Sequence, residues 1–195
     1  MKKRKIMFVI IIVIVIIVFV LSNLWFSSNY LLVREYPVVI SDSSESTIRA
    51  VVISDLHDHQ FGSNNIRLVE KIAELEPDIV FMDGDMLNSD SDNASIPCSL
   101  IQQLRNIAPV YYALGNHENM YISKGHLDLI NQLEESGAVV LDKTYVDIEI
   151  EEVPIRLGGM YDYAFGLDGN NTALAAPEDV LTFLKNYQNT DRVKI

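Results

Sequence analysis

Three short stretches of the 195-residue chain gather side chains able to do metal chemistry. Asp55-Leu56-His57-Asp58-His59 alternates carboxylate and imidazole. Asp83-Gly84-Asp85 carries two carboxylates around a glycine, and Gly115-Asn116-His117-Glu118 adds an amide, an imidazole and a further carboxylate. These are the donors that a hard or borderline divalent cation takes. Asp55 and His57 are two apart, so an extended loop aims both to one side. Gly84 and Gly115 let the backbone turn sharply just before Asp85 and Asn116. Singly, each stretch is weak: Asp-x-His is a common polar loop, Gly-Asp a common turn, and a capped turn uses Gly-Asn-His-Glu equally well. Their joint occurrence points to a metal site.

The elements between these stretches explain why they meet. Ala50–Ile53, Asp78–Met82, Val110–Leu114 and Ala138–Leu141 are short apolar runs of the buried-strand kind. Helical spacing separates them: Ile66, Val69, Ile72 and Ala73 within Asn64–Glu76, closed by Pro77; Leu100, Ile101, Leu104 and Ile107 within Ser99–Ile107; and Leu127, Ile130 and Leu133, with Gly137 as a helix-ending glycine. Tyr145–Ile150 and Ile155–Gly159 read as further strands, and Pro177–Tyr187 as a last amphipathic helix opened by proline. Tyr30–Ile40 is β-rich and the Ser41–Ser46 cluster reads as a turn, a possible first hairpin. Alternating strands and helices imply a largely parallel sheet covered by helices. Each metal-type stretch follows a core strand, where open α/β sheets bind ligands.

Charge and hydropathy divide the chain. Lys2, Lys3, Arg4 and Lys5 precede the unbroken apolar run Ile6–Leu21, whereas all 27 acidic residues lie from Glu35 onward. As a helix, Ile6–Leu21 spans about 24 Å, and continuing through Leu24, Trp25 and Phe26 brings it to about 31 Å, matching a hydrocarbon core of about 30 Å. Residues 1–26 therefore read as an anchor, residues 27–47 as a link with the hairpin strand, and residues 48–195 as the catalytic-type domain. The basic start predicts a cytoplasmic N-terminus and an extracytoplasmic domain. A cleaved signal peptide, giving a secreted product, is the alternative; no clean small-x-small cleavage site follows the run. The acidic body excludes a dedicated nucleic-acid binder. The single cysteine excludes an internal disulfide and a Cys-rich zinc site.

Asp55-x-His57, Gly84-Asp85 and Gly115-Asn116-His117-Glu118, in this order, resemble the calcineurin-like metallophosphoesterases. Ser54-Asp55-Leu56-His57 followed by Phe61-Gly62 is most similar to the bacterial branch with an N-terminal membrane anchor. The resemblance covers Ile48 to the C-terminus. It implies a four-layer α-β-β-α sandwich and a binuclear centre of divalent cations, with Mn, Fe, Zn and Mg all compatible with the donors. By that resemblance Asp55 and His57 hold the first cation, Asp85 bridges the two, and Asn116 holds the second. His117 contacts the phosphate and helps the leaving group depart. Asp58 and Glu118 support, and Asp83 either assists the metal from behind or only hydrogen-bonds its loop. The implied reaction is hydrolysis of a phosphomonoester or phosphodiester by hydroxide generated between the two cations. The substrate expected is a small phosphoester, lipid-linked or from the cell envelope; oligomeric state has no signal.

The sequence also departs from that pattern. The family carries later histidines, one after a further strand and a pair in Gly-His-x-His, and none of the four histidines here lies beyond His126. His126 reads as a helix-start surface residue and His59 as a polar loop residue, with a substitute ligand the less favoured reading. Asp191–Ile195 ends as a strand begins, so the chain is expected to be a truncated product, binding metal weakly with little activity. A non-catalytic binding domain or remnant on the same scaffold is the competing reading. A purely structural membrane protein explains the anchor but not the strand-end residues.

Overall fold

The computed structural model describes residues 2–39, 46–161 and 177–195. The chain divides into two compact units, Met1–Val38 and Val39–Ile195. The first is built on helix α1, Lys2–Asn29. Its β-branched residues have poor helix propensity, but a continuous apolar run leaves the helix as the way to pair every backbone group away from water. Lys3–Phe26, 24 residues whose most apolar stretch of 18 has a mean hydropathy of 3.3, is long and apolar enough to cross a membrane. Residues 30–39 form no strand, contrary to their composition. β-propensity records packing on a pleated surface, and here Tyr36 and Val38 are 75% and 77% exposed. Ile40 of that stretch and residues 41–45 of the expected turn lie outside the described residues.

The second unit opens with strands β1 (Ala50–Ile53), β2 (Ile79–Asp83), β3 (Val110–Ala113) and β4 (Ala138–Leu141). They form one parallel sheet in the order β1-β2-β3-β4. Parallel neighbours need crossovers. A 3₁₀ turn (Ser63–Asn65) with α2 (Ile66–Ala73), then α3 (Ser95–Leu104), then α4 (Asn116–Ser123) with α5 (Leu129–Ser136), supply them. Gly137, at φ 111°, ends α5 as expected. The sequence reading had no helix at α4, and it placed His126 at a helix start. His126 instead lies before α5, half-buried and stacked on Tyr121 with ring centroids 3.8 Å apart.

The two faces of the sheet are buried differently. Val80, Met82, Val110 and Tyr112 alternate onto one face, where α2, α3 and α5 bring Leu68, Ile72, Leu100, Ile101, Leu104, Leu129 and Leu133 into the core. Each fully buried leucine contributes about 1.5–3 kcal/mol. On the other face Ile79, Leu141, Phe81 and Tyr111 meet Ile155, Leu157, Val146 and Ile148 of a second sheet. That sheet pairs β5 (Thr144–Ile150) and β6 (Val153–Gly159) antiparallel and adds β7 (Val193–Lys194) parallel to β6. The hairpin turns through Glu151 and Glu152, both left-handed as a two-residue turn requires. Helix α6 (Glu178–Gln188) covers the outer face, its Phe183 and Tyr187 lying against Gly158. Helices, sheet, sheet and helix make the expected four layers, and the strand expected at the end of the chain is β7.

Candidate metal centre

The loops leaving β1 and β2 stay hydrogen-bonded after the strands end. Asp55 N–H donates to the Gly84 carbonyl at 3.2 Å, His57 N–H to that of Asp85 at 3.0 Å, and Asp58 N–H to that of Met86 at 3.0 Å. This zipper sets Asp55 and His57 opposite Asp85. The β1 loop is not the extended strand that the two-residue spacing suggested. Asp55, His57, Asp58 and Asp85 all have left-handed backbones, with φ between 47° and 60°. Asp and His enter that region more readily than most residues, and such strain accumulates where side chains must be aimed.

Two glycines let the β2 and β3 loops touch. Gly84 is left-handed at φ 70°, and a Cβ there would meet Gly115 Cα and N at 2.7 Å. Gly115 has an ordinary φ of −98°. Its requirement is space, because a Cβ would collide with Asp85 Oδ1. The sharp turn expected at both positions is thus needed only at Gly84.

His57, Asp85 and His117 each bring a donor atom to within 4.8 Å of the others, and all three are half-buried. His57 Nε2 also lies 3.9 Å from Asp55 Oδ1, and the Asp55 side chain is 69% exposed. The rings of His57 and His117 meet edge to face, centroids 4.5 Å apart. Asn116 is the first residue of α4 and half-buried. Asp85 Oδ1 accepts the His117 N–H at 2.9 Å. An imidazole and carboxylate set with an open, solvated carboxylate beside it suits a divalent cation, so the donors fit the metal expected from the sequence. Asp83 ends β2 exposed, and His59 is an exposed loop residue with its ring against Phe61.

Behind the donors lies a polar frame. Glu118 has no solvent exposure. Its Oε2 accepts from Asp85 N–H at 2.8 Å and Gly115 N–H at 2.9 Å, and its Oε1 from Met86 N–H at 2.8 Å and Tyr112 O–H at 2.7 Å. One carboxylate thus ties the β2 loop, the β3 loop and strand β3. The bond to Gly115 N–H is half of a capping box for α4; glycine offers no side chain for the other half. Burial, followed by the adjoining Glu118 charge, pushes the Tyr112 phenol well above its ordinary range, so it remains a donor. Asp58 Oδ2 accepts from Asn88 N–H and Asn88 Nδ2, each at 3.0 Å, and from the Ser91 hydroxyl. Asn88, Ser89 and Ser91 were not singled out in the sequence; the signal available was a run of turn-forming polar residues three positions past Asp85.

The family model described as Calcineurin-like phosphoesterase matches residues 48–188. None of the curated proteins compared with the chain matches it. Among solved structures, a protein of unknown function from Aquifex aeolicus is similar at 15% identity, with a TM-score of 0.33, over 72% of this chain and 73% of that one.

Proposed function

The chain belongs to the calcineurin-like phosphoesterase family, and from that premise we propose that it is a membrane-anchored, metal-dependent phosphoester hydrolase. The observation that carries this reading is the convergence of His57, Asp85 and His117 at the carboxyl ends of β1, β2 and β3. Asp55, His57, Asp85 and Asn116 would hold the cations, with Asp85 shared. When bound, paired divalent cations neutralise phosphate oxygens and acidify a water for in-line attack. His117 would contact the phosphate and help the leaving group depart, donating a hydrogen bond to the departing oxygen. Glu118 and Asp58 keep the loops in place by the bonds described above. Helix α1 supports an anchor with the basic residues 2–5 inside and the domain outside. The substrate proposed is a small phosphoester at that membrane face.

A second reading rests on the donor set. Two cations require more donors than these four side chains supply, and none of the histidines lies past His126. A scaffold that binds metal loosely without turnover is consistent with that count. One assay separates the two. The purified chain is offered Mn²⁺ with p-nitrophenyl phosphate and with bis-p-nitrophenyl phosphate. Hydrolysis that a chelator abolishes, and that Asp85→Asn lowers at least 100-fold, is expected of the hydrolase. Mn²⁺ binding with no turnover of either ester would establish the scaffold reading instead.

A further inference from the structure

His57 and His117 stand at one centre, yet their Nδ1 atoms meet opposite partners from the same loop. The Ser89 N–H donates to His117 Nδ1 at 3.1 Å. A backbone amide can only donate, so this nitrogen carries no proton, and the neutral ring bears its proton on Nε2. His57 Nδ1 lies 3.2 Å from Asn88 Oδ1. Which end of the Asn88 amide faces His57 follows from its other contacts. Asn88 Nδ2 lies 3.0 Å from the His57 carbonyl and 3.0 Å from Asp58 Oδ2. Both are acceptors, and only the amide nitrogen satisfies them. The oxygen must therefore face the ring, and His57 Nδ1 must be the donor. Its Nε2, 3.9 Å from Asp55 Oδ1, is left with a free lone pair. Asp58 anchors the arrangement, because Asn88 N–H and the Ser91 hydroxyl bind the same Oδ2.

We propose that the 88–91 loop imposes opposite tautomers on the two histidines, with Asn88 the positioning residue for His57 and the Ser89 amide for His117. His57 then offers a lone pair at Nε2, as a cation ligand must, while His117 offers an N–H at Nε2, as a group facing a phosphate oxygen must. Proximity alone groups His57, Asp85 and His117 as three equivalent donors; the hydrogen bonds make them two ligands and one hydrogen-bond donor. The assignment of these uses rests on the phosphoesterase reading, but the tautomers themselves do not.

The test is long-range ¹H–¹⁵N correlation of the imidazoles in the metal-free full chain, in detergent micelles at about pH 8.5, where free imidazole is neutral. His59→Gln and His126→Gln assign the remaining signals. The expected spectrum shows Nδ1–H at His57 and Nε2–H at His117. The same tautomer at both rings overturns the proposal, and so does the reversed pair. Asn88→Ala should remove the Nδ1–H preference of His57 alone and weaken Mn²⁺ binding about tenfold, read by electron paramagnetic resonance of free Mn²⁺. An Asn88→Ala chain with an unchanged His57 spectrum overturns the role of Asn88. If that variant does not fold, the wild-type spectrum still decides. Opposed tautomers in a chain that neither binds Mn²⁺ nor hydrolyses an ester would sink the proposed function and leave this inference standing.

Discussion

A carboxylate removed from solvent costs several kcal/mol unless its oxygens are paired, and Glu118 meets that cost with four donors, two on each oxygen. The pairing predicts what glutamine does there. If its NH₂ replaces Oε2, it faces two backbone N–H groups, those of Asp85 and Gly115. If it replaces Oε1, Tyr112 can rotate to accept, but Met86 N–H is orphaned. The second arrangement is cheaper and leaves one buried donor unsatisfied, a cost of about 1–3 kcal/mol. Glu118→Gln should therefore lower the urea unfolding free energy by about 2 kcal/mol and weaken Mn²⁺ binding through the shifted β2 loop. A loss under about 0.5 kcal/mol would mean that the four bonds contribute little net stability. That Asp55, His57, Asp85, Asn116 and His117 lie together past the strand ends could be read from the sequence, because each follows an apolar run that becomes a parallel strand. Glu118 could be noticed but not explained: its bonds to Asp85 and Met86 span 33 and 32 residues. Asn88 stayed hidden for the same reason, since its role depends on an amide held 30 residues away by Asp58.

Strands β2 to β4 and helices α2, α3, α5 and α6 were readable because each buries residues against a layer on one or both sides, whereas Ala50–Ile53 forms β1 at the sheet edge and is not the buried strand its apolar run suggested, Val52 being 61% exposed. Helix α4 was not, because its first turn is made of site residues and its start depends on Glu118 bonding back to Gly115. The strand expected in residues 30–39 failed for the converse reason, having composition but no pairing strand among the described residues. Arg156 on β6 shows a third kind of hidden element contact. It is buried, forks Asp147 of β5 at 2.7 and 2.8 Å, lies 4.1 Å over the Tyr145 ring, and donates to the Asn186 carbonyl at 2.9 Å near the end of α6. The Arg156 hydrogen bonds hold the Asp147 carboxyl below its ordinary range. The folded state thus favours the charged form. The stability this contributes is complete above the ordinary carboxylate range and is lost as pH falls through the depressed folded value. Asp147→Asn should lower the urea midpoint at pH 7, and the difference from wild type should shrink as pH drops below about 4. A difference that stays constant from pH 7 to pH 3 would show that the fork is not coupled to folding.

The chain joins an apolar helix with a basic start to a remainder, from Glu35 onward, that holds all the acidic residues, and this asymmetry carries the membrane reading. Moving the helix into lipid is favourable along Ile6–Leu21, which is apolar on every side and exposed throughout. Moving the domain into the membrane is not, since its apolar residues are already consumed between the layers. The basic residues 2–5 favour the cytoplasmic side, and the domain must then cross. An anchor and a cleaved signal predict different molecules. An anchored chain stays in the membrane pellet through alkaline carbonate extraction and retains its own N-terminus, while removing residues 1–38 should release the Val39–Ile195 unit into the soluble fraction. A mature N-terminus beyond residue 26 on a soluble, exported product would sink the anchor and keep the export. Orientation is read separately, by protease added to intact cells. Cleavage within 46–195 places the domain outside, and protection until the cells are lysed places it inside, against the basic start. The result also bears on substrate: an outward-facing, tethered centre meets phosphoesters at the membrane surface, and an inward-facing one meets cytoplasmic esters.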